Sequence, residues 1–119
     1  MAGVTVEEWQ LLSFFEVEPT FDDADVPWSY NDALYTVRQR AFTLSFAIAP
    51  AYRDVRLIIE HDGQKLYEFK AMEVKDVRYK KHRGAEQLEI VVSEQDCLVL
   101  RLKPRIELIH SADHRLSPT

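Results

Sequence analysis

From Phe42 to Ile48 the chain alternates without a break: Phe42, Leu44, Phe46 and Ile48 are apolar, and Thr43, Ser45 and Ala47 between them are small or polar. Successive side chains of a strand point to opposite faces, so period two describes a strand with one buried face. A helix would need its apolar residues three and four apart. The pattern recurs along most of the chain. Leu34–Arg40 sets Tyr35 and Val37 against Arg38 and Arg40, and Val55, Leu57 and Ile59 follow. Lys65–Ala71 carries Tyr67 and Phe69 on one face, and Val74–Lys80 and Gln87–Ser93 read as a pair. Leu98, Leu100 and Leu102 flank Val99 and Arg101, and Ile106, Leu108 and His110 mark a last strand.

Turn chemistry separates these runs. Pro50 and Pro104 end strands because proline lacks the ladder donor. Asp62-Gly63 suits a tight hairpin whose central residues both need φ > 0, and Lys81-His82-Arg83-Gly84 joins the next pair. No connection after residue 33 is long enough for a crossover helix, so antiparallel pairing is expected. The sequence therefore predicts an all-β fold, an antiparallel two-layer β-sandwich of eight or nine short strands with at most one short N-terminal helix. A small β-barrel is the alternative. The expected core is Phe42, Leu44, Phe46, Ile48, Leu57, Ile59, Leu88, Ile90, Leu98, Leu100 and Leu102.

The opening segment reads two ways. Thr5-Val6-Glu7-Glu8 matches a capping box, which predicts a helix over about residues 6–12; one long strand from Val4 to Val17 is the other reading. From Ser13 alternation places Phe15 and Val17 opposite Phe14, Glu16 and Glu18. Residues 19–32 hold two prolines and five Asp or Asn residues and read as a long loop, the kind that tends to carry function. The polar tail after Ser111 is expected to fray.

At 119 residues the chain fits one domain, and 46% hydrophobic residues exclude general disorder. Cys97 is the one cysteine, so no disulfide forms within the chain, as suits a reducing compartment. No apolar run approaches the roughly 20 residues that span a bilayer. The opening MAGVTVEEWQLL has acids where a signal peptide would carry Lys or Arg. A cytoplasmic protein with no membrane contact is expected.

Candidate chemistry is sparse. Cys97, between Asp96 and Leu98, lacks the cationic neighbour that activates a thiol. His110 and His114 are four apart, but the strand pattern runs through His110, and no cysteine pair accompanies them for zinc. Asp22, Asp23, Asp25 and Asp32 match no calcium loop and enclose no glycine. Gly3, Gly63 and Gly84 are too scattered to cradle a phosphate. No catalytic, cofactor or metal residues are therefore expected. Arg78, Lys80, Lys81, His82 and Arg83 surround Tyr79, an arrangement that can grip nucleic acid. Yet a pI near 5.3 opposes that reading and favours a solvated hairpin tip, with no nucleic-acid partner.

Charge is distributed unevenly. Residues 1–37 hold eight acids and no Lys or Arg, whereas the other 82 hold 15 basic and 12 acidic residues. A field of one sign steers a partner of the other. Phe14, Phe15, Phe21, Trp28, Tyr30 and Tyr35 lie among these acids, and Trp and Tyr dominate binding hot spots. The expected partner-binding site has Trp28 and Tyr30 as anchors and Asp22, Asp23, Asp25 and Asp32 as steering rim. In the competing reading Trp28 and Phe21 plug the open end of the sandwich. Elimination thus leaves a non-catalytic domain that binds a basic protein, and among small acidic binders a bacterial immunity protein capping a toxin domain fits by analogy. An adaptor or assembly subunit pairing through an edge strand, and a small enzyme or ligand carrier with a cavity between its sheets, are the alternatives.

Overall fold

The computed structural model describes residues 3–112. One helix, α1 (Glu8–Phe15), precedes nine strands: β1 (Thr20–Phe21), β2 (Ala33–Gln39), β3 (Phe42–Ala49), β4 (Asp54–His61), β5 (Gln64–Ala71), β6 (Asp76–His82), β7 (Ala85–Val91), β8 (Asp96–Arg101) and β9 (Glu107–Ala112). They form two antiparallel sheets, ordered β1-β2-β3-β4-β5 and β6-β7-β8-β9, which pack as an open sandwich and not as a barrel. Each sheet is a meander because tight turns only let a strand return beside its predecessor. The β4–β5 hairpin turns on Asp62 and Gly63 with φ of 50° and 82°. Its counterpart between β6 and β7 turns on Arg83 and Gly84 alone, at 53° and 82°. Lys81 and His82 thus belong to the strand. The tail and His114, at residues 113–119, lie outside the described residues.

The alternating residues meet in the core: Leu44, Phe46, Ile48, Leu57, Leu88, Ile90, Leu98 and Leu100 are fully buried, and Leu102 nearly so. Two expected members sit further out. Phe42 is 39% exposed because it pairs with Gln39 and His61 where the strands end, and its ring lies on His61 at 4.6 Å. Ile59 is half-buried on the same side.

The opening segment forms the short helix of the first reading, set two to three residues further along and capped by a different residue. The helix begins at Glu8, with Glu7 as its cap, and Gln10 Oε1 accepts the Glu7 backbone N–H at 2.8 Å. Thr5 cannot cap it, because Asp76 uses that residue: its carboxylate accepts the Thr5 N–H at 2.7 Å and the Thr5 hydroxyl at 2.8 Å. Phe14 and Phe15, placed on opposite faces by the alternation, are both buried at the end of α1. There Phe15 stacks on Tyr35 at 4.9 Å and meets Phe46 at 5.3 Å. Ser13 donates to Glu86 of β7 at 3.0 Å. The helix thus fills the gap between the sheets along the β2/β6 flank. On the side of β9 an open slot remains among the described residues, between Phe42 of β3 and Ile59 of β4 and the segment Arg105–Leu108.

Candidate partner-binding surface

All strand connections lie at one of two ends of the sandwich. One end collects the loop from Asp22 to Asp32, the 3₁₀ turn Pro50–Tyr52 and the turns before β6 and β8. The other collects the three tight hairpins and the β8–β9 connection.

The acidic loop is a built object. Its mouth is closed by the Asp22 N–H donating to the Asp32 carbonyl at 3.1 Å, next to the short β1–β2 pair. Asn31, only 4% exposed, holds its interior. The Asn31 amide donates to the carbonyls of Asp23 at 2.6 Å and Val26 at 2.9 Å, and its Oδ1 accepts from the N–H groups of Asp23 and Asp32. Asp23 Oδ1 in turn accepts the Asp25 N–H at 3.0 Å. Four bonds from one side chain replace the ladder that this segment lacks, as buried polar groups require.

The loop deploys the six expected site residues differently. Asp22, Asp23 and Asp25 are exposed carboxylates. Asp32 is half-buried and paired with Arg56 at 2.6 Å. Trp28 is half-buried, packs against the core, and donates its indole N–H to the Tyr35 hydroxyl at 3.1 Å. Tyr35 is fully buried, and burial pushes its pKa up to about 12 against the ordinary 10.0, with the Trp28 bond pulling the other way. Tyr30, in the same 3₁₀ turn, is 66% exposed. Phe21 stays exposed on the edge strand β1 and plugs nothing.

Two exposed residues that the sequence did not single out lie at this end, Tyr52 and Met72. Between the loop and Met72 the sheet face opens into a cleft of about 380 Å³, floored by Ala49 and bordered by Asp32, Asp54 and Arg56. Nothing in composition marks Tyr52 or Met72. Asn31 is equally silent in the sequence, since a lone Asn in a polar loop carries no spacing signal.

Neutralisation of the acidic segment is partial. Glu16 pairs with Lys103 and Asp32 with Arg56; the other six acids of residues 1–37 enter no ion pair among the described residues. The basic hairpin is likewise neutralised in part, with Lys81 and Arg83 entering no ion pair among the described residues. Arg78 pairs with Asp76, and Lys80 with Glu89. The Tyr79 hydroxyl donates to Glu86, while its ring meets Trp9 and Phe14 edge-on.

Cys97 is half-buried, and burial, reinforced by Glu89, raises its pKa and keeps the thiol protonated at neutral pH. Among the described residues no three His, Cys, Asp or Glu side chains cluster as a metal site, and no helix is long and apolar enough to cross a membrane.

A scan against protein-family models gives no match, and a search of curated proteins gives none. Among solved structures the fold is similar to a chain of a contact-dependent growth inhibition toxin–immunity protein complex from Klebsiella pneumoniae 342. The TM-score is 0.76 at 20% sequence identity, over 93% of this chain and 98% of that one. At that identity the likeness is one of fold.

Proposed function

We propose that this chain is an immunity protein, a non-catalytic cytoplasmic domain that binds and neutralises a basic toxin domain. One observation carries the reading: nearly the whole of this chain superposes on nearly the whole of a chain from a toxin–immunity complex. The net charge of −5 and the acidic end support it, since a negative surface steers a cationic protein. In this reading Asp22, Asp23 and Asp25 supply the steering field. Tyr30 is the anchor that enters the partner, and Trp28 holds Tyr30 in place from below. Asp32, with Arg56, lines the adjoining cleft.

A toxin domain is expected in the neighbouring reading frame. Co-expression of the two should restore growth and yield a stable complex on gel filtration. Failure of both would sink the proposal. The edge-strand alternative is less favoured at β5, where Lys65, Lys70 and a register shift at Ile59/Glu60 blunt the free edge as natural sheets do.

A further inference from the structure

The two flanks of the sandwich are finished differently. On one, α1 drives Leu11, Phe14 and Phe15 between the sheets. On the other, Phe42 and Ile59 of one sheet face Ile106 and Leu108 beside the other across an open slot of about 300 Å³, with Arg105 as the charged residue in its lining among the described residues. This slot lies at the hairpin end, remote from the acidic loop. The Gln39 side chain fixes that end by donating to the Leu102 carbonyl at 2.6 Å and accepting the Ile106 N–H at 2.9 Å. The loop bearing Arg105 is thereby held beside the turn bearing Arg40.

Charge at this end is mixed, with Asp62 in the β4–β5 turn 3.5 Å from His61, but the slot's own lining takes its charge from Arg105. Lys103 is held by Glu16, and Glu107, the nearest acid in sequence, by Arg101. Arg105 and Arg40 enter no ion pair among the described residues. A small apolar cavity with one converging polar group is what a small-molecule site looks like, and its volume stands at the low end of the range for such sites. A guanidinium selects a carboxylate by charge and by geometry.

We propose that the slot binds a small amphiphilic carboxylate, an alkyl or aryl acid whose apolar body lies between the sheets and whose carboxylate meets Arg105. The site is independent of the toxin-binding reading, because it uses the opposite end of the molecule.

Titration of the isotope-labelled protein with octanoate, and separately with 1-octanol, tests the proposal by amide chemical shifts. Saturable octanoate shifts are expected at Phe42, Ile59, Ile106 and Leu108. Arg105→Gln, at an exposed position, should weaken octanoate about five- to tenfold and leave octanol unchanged. Absence of saturation, shifts centred elsewhere, or an unchanged octanoate affinity in Arg105→Gln would each overturn it. Shifts at those residues on adding a protein partner, with none for octanoate, would assign the slot to that partner and equally overturn it.

Discussion

Trp28 and Tyr30 are two residues apart, yet the fold gives them opposite tasks. Trp28 turns inward to the Tyr35 hydroxyl, and Tyr30 turns out to solvent. Trp28→Ala should therefore destabilise the free protein, by about 2–3 kcal/mol for a half-buried aromatic with one hydrogen bond. A thermal melt should fall by on the order of 10 °C. Tyr30→Ala should leave the melt within about 1 kcal/mol of the parent and instead speed dissociation of a bound partner. An unchanged melt for Trp28→Ala would show that the indole is not part of the core. Tyr35 adds a pH signature. Its pKa is raised in the folded state, so the stability it contributes is complete below pH 10 and is lost as pH climbs towards about 12. Alkaline denaturation followed by tryptophan fluorescence should steepen in that window, and Tyr35→Phe should flatten it.

Among the elements, the N-terminal segment is clipped at Thr5 by one carboxylate, beside backbone bonds from Val4 to Pro50 and from Val6 to Val77. Asp76 is 8% exposed. Burial opposes its charge, but bonds from the Thr5 N–H and hydroxyl, the Val77 N–H and Arg78 outweigh that cost and hold its pKa below 3.8. A depressed carboxylate contributes stability above its unfolded pKa and loses it as pH falls through the folded one. The clip should therefore hold through the ordinary aspartate range and weaken only as pH falls below it. Asp76→Asn should cost about 2 kcal/mol at pH 7 and raise amide exchange at Thr5 and Val6, whereas unaltered exchange there would exclude the clip. The same carboxylate explains what the sequence concealed. Strands were legible because each has one wet face and one dry one, as at Leu44, Phe46 and Ile48. The start of α1 was not, because Thr5, the obvious cap, is taken by a residue 71 positions away. Phe14 and Phe15 imitated a strand because a helix plugging two sheets touches both and needs adjacent apolar residues. In the acidic loop the carboxylates could be read from the sequence, but their rigidity could not, since it depends on Asn31 being buried.

At the scale of the whole molecule, strand connections sort charge to the two ends. Asp22, Asp23 and Asp25 stand at one beside Arg53 and Lys75, and Arg40, Lys81, Arg83 and Arg105 at the other beside Asp62, so a cationic partner is steered by the loop carboxylates to the first. Asp22→Asn with Asp25→Asn spares the Asn31 network and the Arg56 pair. The double variant should slow association with a basic toxin several-fold and flatten its dependence on salt, leaving dissociation and the melt unchanged. Association rates measured across a salt series would decide, and an unaltered slope would place the contact surface elsewhere.

The two sheets occupy separate stretches of the chain, residues 20–71 and 76–112, while residues 4–6 hydrogen-bond to Pro50 in the first and to Asp76 and Val77 in the second. During synthesis the first sheet can therefore pair its strands well before the second exists. Its inner face, covered in part where Phe15 of α1 meets Phe46, then waits for the second sheet while about forty further residues emerge. Residues 4–6 leave the ribosome before either stretch that they bind, and Asp76 and Val77 reach them only after the first sheet is complete. For that interval the nascent chain presents an apolar sheet whose flanking segment is not yet clipped, the form in which a ribosome-associated chaperone has most to hold.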